Sequence, residues 1–117
     1  MRAEFDMGCP RASRRDPSTR LLAELIQLSG GKGTLVRHQQ RPWASITFSG
    51  TRHALTFAFA GQEAVETAET FLAALPDHEF VIPRQIVADV KIRTVDHVLL
   101  PEPRLTVDIE LLVLEEA

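Results

Sequence analysis

Asparagine is absent from the 117 residues, cysteine occurs once and lysine only twice. Without asparagine there is no N-glycosylation sequon. Cys9 has no partner for an internal disulfide, so nothing argues for an oxidising compartment. No apolar run approaches the roughly 20 residues that span a bilayer. The opening stretch MRAEFDMGCPRASRR lacks the apolar segment of a signal peptide, so Cys9 does not read as a lipidation site. A cytoplasmic protein of bacterial type, with no membrane partner, is the expectation. Met7 is a second candidate start. Eleven arginines against two lysines reflect genome composition as much as function.

The rest of the composition is that of a globular chain. Hydrophobic residues make up 44% and charged residues 25%, a balance that buries one core without metals or disulfides. The net charge is -3, but it is unevenly spread. Up to Arg52 there are nine Lys/Arg against four Asp/Glu; from His53 onward there are four against twelve. Such asymmetry marks either an interaction surface or two halves of one surface attracting each other.

The stretch Trp43 to Ala60 organises the chain. Ala44, Ile46 and Phe48 alternate with Ser45, Thr47 and Ser49, and Leu55, Phe57 and Phe59 alternate with Thr56 and Ala58, the period of half-buried strands. Ser49-Gly50-Thr51-Arg52 has turn chemistry and is expected to join them. Before it, residues 1–16 are expected to form a flexible basic leader. A helix is predicted from Pro17-Ser18, with Leu21, Leu22, Leu25, Ile26 and Leu28 as its apolar stripe and Gly30-Gly31 as its stop. Thr34 to His38 is a short strand candidate that continues through Gln39-Gln40-Arg41 into Trp43 if Pro42 lies at an edge. A second helix is predicted from Gly61 to Leu75, carrying Ala64, Val65, Ala68, Phe71 and Leu72 on one side and ended by Pro76.

Ile86 to Leu99 and Arg104 to Glu115 read as a final hairpin across Leu100-Pro101-Glu102-Pro103. With Leu99 opposite Arg104, Val90 meets Val113, Ile92 meets Leu111 and Arg93 meets Glu110. Ile86, Ala88, Val90 and Ile92 then share one face. The predicted fold is α+β, in the order α-β-β-α-β-β: a two-layer protein with a mainly antiparallel four-stranded sheet and two helices on one face, residues 17–117 forming one domain.

No catalytic or cofactor motif survives inspection. Gly30-Gly31-Lys32-Gly33-Thr34 evokes a phosphate loop, but Gly33 follows the lysine, Ile26 stands where the first glycine belongs, and the loop follows a helix. Asp77-His78-Glu79 and Asp96-His97 do not supply the closed ligand set of a zinc site. Ser45, Ser49, His53 and Asp89 can be combined on paper as a nucleophilic set, yet there is no G-x-S-x-G elbow. No catalytic residue, metal or cofactor is expected, and a small enzyme with an unrecognised site is the weakest alternative.

Two surfaces stand out. Arg37, His38, Arg41, Trp43, Arg52 and His53 mix cations with the sole tryptophan, a combination that binds phosphates and stacks bases. The plainer alternative buries Trp43 in the core. Val95, Leu99, Leu112 and Leu114, rimmed by charges on the face away from the helices, resemble an interface patch. The expectation is a non-enzymatic interaction module that forms a homodimer. A nucleic-acid binder using the Arg/Trp cluster is the alternative.

Overall fold

A computed structural model describes residues 17–115. The expected leader, with Met7 and Cys9, lies outside the described residues. The elements run α1 (Pro17–Leu28), β1 (Thr34–Ala44), β2 (Ser49–Ala60), α2 (Gln62–Ala74), a 3₁₀ turn (Leu75–Asp77), β3 (Gln85–Val98) and β4 (Arg104–Glu115). The four strands form one antiparallel sheet in the order β1-β2-β4-β3. This is the expected α+β architecture.

One core joins the two layers. From the sheet come Leu55, Phe57 and Phe59 of β2 and the alternate residues Leu105 to Val113 of β4. Leu21 and Leu25 of α1, with Ala64, Val65, Ala68 and Phe71 of α2, lie over them. Ile26 stays 40% exposed, so the stripe of α1 is narrower than its sequence suggests. Phe71 packs against the rings of Phe57 and Phe59 at centroid distances of 6.0 and 5.8 Å. Burying one such side chain contributes about 1.5–3 kcal/mol. The sequence after α1 is structural. Gly30 and Gly31 adopt φ of 68° and 73°, the left-handed geometry that ends a helix. The buried Ser29 donates to the Ile26 carbonyl at 2.6 Å and accepts from the Gly33 amide at 3.4 Å. A β-carbon on Gly33 would come within 2.9 Å of the Phe59 ring.

The central hairpin differs from expectation in its turn. Strand β1 runs through Pro42 to Ala44, and the turn is Ser45–Phe48, closed by the Ser45 amide donating to the Phe48 carbonyl at 2.7 Å. Gly50 is not in the turn but inside β2, buried, opposite Trp43 on one side and Leu114 on the other. Extending the ladder to Ala44–Ser49 satisfies more backbone groups than a turn at Gly50 would. It also spends the residue without a side chain where β4 comes closest. The apparent apolar alternation at Ile46 and Phe48 is surface, with Ile46 fully exposed. Pro42 is accommodated because β1 is an edge strand.

The final hairpin is offset from the expected register by one residue at the loop, where Val98 rather than Leu99 faces Arg104, and by one more at each of two bulges in β3, between Ile92 and Thr94 and between Val87 and Asp89. Val90 faces Leu111, Ile92 faces Ile109 and Lys91 faces Glu110. Each bulge moves the following residues to the other side of the sheet. As a result Val87, Val90, Ile92 and Val95 share the helix side, whereas Ile86, opposite Leu114, lies on the open side. The Leu100–Pro101 peptide bond in the connecting loop is cis.

Candidate interaction surface

The face of the sheet away from the helices is polar and densely paired. At its centre, Asp108 of β4 accepts a hydrogen bond on each carboxylate oxygen, from Thr56 Oγ1 of β2 and Thr94 Oγ1 of β3, both at 2.6 Å. These two hydroxyls, with the charge of Arg37 assisting, hold the Asp108 carboxyl below the ordinary aspartate range. One residue pair along, Glu110 takes Arg52 and Arg93 from opposite sides, each at 3.4 Å. The expected Arg93–Glu110 pair therefore forms although its register differs, because the long guanidinium spans the bulge.

The six residues of the Arg/Trp cluster divide between the two faces. Arg37, Arg41 and Trp43 alternate along the open face of β1, beside Arg52 of β2. Gln39, Gln40, Arg41, Arg52, Ala54 and Glu110 line a shallow hollow of about 350 Å³ there. Trp43 is half-buried against Gly50 and does not enter the main core. His38 and His53 point to the helix side, where their rings stack and His38 Nε2 lies 3.0 Å from His53 Nδ1. His53 is 4% exposed. The alternation of strand side chains, applied to β1 alone, already separates His38 from Arg37 and Arg41.

The other candidates are also dispersed. His78 is held by Glu24 of α1 at 3.1 Å and stands edge-on to Phe80. Glu24 also accepts from the Val81 amide at 3.0 Å, so this carboxylate ties α1 to the segment before β3. Sequence reasoning missed this link, since Glu24 is one of several polar residues on an amphipathic helix. His53 lies on the helix side and Asp89 on the open side of the far edge strand, so the paper nucleophilic set does not assemble. Among the described residues no group of three or more His, Cys, Asp or Glu side chains is arranged to hold a metal.

The apolar patch is split too. Leu112 and Leu114 lie half-buried on the open face, opposite Arg52 and Gly50. Val95, 48% exposed, is on the helix side opposite Val107, and Leu99 follows β3 in the loop. What β3 and its loop expose instead is a set of apolar residues spread over both faces, Ile92 and Val95 on the helix side and Val98 on the open side. Ile92, Val95, Val98, Leu99 and Leu100 are all large, apolar and exposed, the last by 79%. The helices end their cover before this part of the sheet.

No family model and no curated protein matches the chain. A chain in the virion of a native gene transfer agent particle shares the fold. It superposes with a TM-score of 0.51 at 14% identity, over 86% of this chain and 93% of that one. At that identity the likeness shows the fold alone. No helix among the described residues is long and apolar enough to cross a membrane.

Proposed function

We propose that the chain is a non-enzymatic interaction module that associates with further copies of itself in a multi-subunit assembly. The observation that carries this reading is the exposed apolar run from Ile92 to Leu100 on an edge strand. Exposed apolar side chains along an edge strand are a liability for a solitary protein, because unpaired backbone groups and apolar side chains together recruit another chain. The likeness to a virion chain supports the reading, since that protein belongs to a particle. Val95 and Leu99 fall within the proposed surface, whereas Leu112 and Leu114 lie on the open face toward the other end of β3, beside Asp89 and Ile86. The proposal includes cytoplasmic residence. Sedimentation or light scattering at high micromolar concentration tests it. Assemblies larger than one chain are expected, and a monomer there removes the reading.

A second reading is favoured by one arrangement, the convergence of Arg37, Arg41, Arg52 and Trp43 on one face. It makes that face a nucleic-acid contact. Glu110 and Asp108 lie directly beside those arginines and lower its attraction for phosphate. Retention on nucleic acid that falls steeply with salt supports the second reading. Retention unchanged by Arg41→Glu with Arg52→Glu removes it.

A further inference from the structure

We propose that copies associate head to tail, the β3 edge of one pairing with the β1 edge of the next, Asp96 of the first seated between Arg37 and Arg41 of the second. This inference rests on the self-association reading above and specifies its geometry.

The strand order makes the two edges different from each other. β1 and β3 bound the described sheet, and they run in opposite directions because each step across it is antiparallel. A second copy placed beside the first with its helices on the same side therefore presents β1 antiparallel to β3. Each edge offers one uninterrupted window of five residues. On β1 it is Arg37–Arg41, between the irregularity after Leu35 and the donorless Pro42. On β3 it is Thr94–Val98, after the second bulge. The windows are of equal length, and all their side chains are exposed except the half-buried His38.

Side-chain alternation then selects the match. Arg37, Gln39 and Arg41 lie on the open face, and so do Thr94, Asp96 and Val98. Centring one window on the other sets Gln39 opposite Asp96 and puts both arginines on its diagonals, about 7–8 Å away and within guanidinium reach. Among the described residues neither arginine forms an ion pair within 4.0 Å, Arg37 acting on Asp108 only from farther off, and nor does Asp96. On the helix side, Val95 comes to lie opposite Gln40, and exposed apolar area of β3 is covered. Two-fold alternatives centred on the same windows are worse. β3 against β3 sets Asp96 opposite Asp96, and β1 against β1 sets Arg37 opposite Arg41 twice. Like charges directly opposite destabilise a strand pair. A contact between unlike edges leaves one of each unused at the ends, so it propagates into a ring or a filament.

The test uses two variants, Asp96→Arg and the double variant Arg37→Asp with Arg41→Asp, each checked for native circular dichroism. Each variant alone then sets like charges against like, and its self-association is expected to weaken at least tenfold. Mixed in equal amounts they restore both contacts, Arg against Asp and Asp against Arg, and alternate along the assembly. Recovery of the wild-type sedimentation only on mixing supports the proposal. Variants that assemble alone as the wild type does, or a mixture that stays dissociated, overturn the edge pairing while leaving self-association standing. A wild type that is itself monomeric overturns both.

Discussion

Thr94 donates its hydroxyl to Asp108 at 2.6 Å from the position directly opposite it on β3. Thr56 does the same from β2, so one aspartate joins three strands. Its carboxyl titrates below the ordinary aspartate range in the folded chain. A group lowered in this way adds stability that is complete above the unfolded value and is lost as pH falls through the native one. Urea unfolding from pH 7 to pH 2 should show that loss, and Asp108→Asn should flatten it. At pH 7, Thr56→Val and Thr94→Val should each cost about 1 kcal/mol. An Asp108→Asn variant with the wild-type acid slope would sink the assignment.

Gly50→Ala places a methyl group into the backbone carbonyl of Val113, which belongs to the paired strand and cannot swing aside. Local separation of β2 from β4 is expected, at a cost of about 2 kcal/mol or more. Chemical denaturation measures it. Under the turn placement expected from sequence, the same change would meet no strand backbone and would cost only the strain of a positive φ, about 1 kcal/mol.

Phe71→Ala removes the ring that α2 sets against Phe57 and Phe59. The expected loss is about 3–5 kcal/mol. Near-ultraviolet dichroism and amide exchange in α2 should report loosening of that helix before global unfolding.

Ile46→Ser, at the fully exposed hairpin tip, should leave stability within about 0.5 kcal/mol. A larger loss in thermal or denaturant unfolding would mean that the tip packs against something.

Most of the architecture was legible because it follows from periodicity. Leu21 and Leu25, Phe57 and Phe59, and the alternate residues of β4 each repeat with the spacing of the element they occupy. What misled was local. Arg37 to Arg41 is too polar to read as a firm strand, since an edge strand needs little apolar content, so the turn slid toward the nearest glycine. The bulges in β3 carry no glycine or proline to announce them, and each reverses the side on which later residues lie. That is why strand alternation alone places Val95 on the open face. The Arg/Trp cluster was legible as a neighbourhood but not as two opposite faces, although strand alternation contained the division. The Glu24–His78 link joins residues far apart in sequence, and no pattern connects them.

The strand order also has a consequence for how the molecule forms. Each hairpin, β1-β2 and β3-β4, is made of sequence neighbours and closes over a short connection. Only the β2–β4 ladder joins residues as distant as Gly50 and Leu114. The entropic cost of folding is therefore concentrated on this one seam, and it joins a hairpin carrying Arg37, Arg41 and Arg52 to one carrying Asp89, Asp96, Asp108, Glu110 and Glu115. Attraction between the two hairpins acts before any of those hydrogen bonds exist, so high salt should slow folding more than it speeds unfolding.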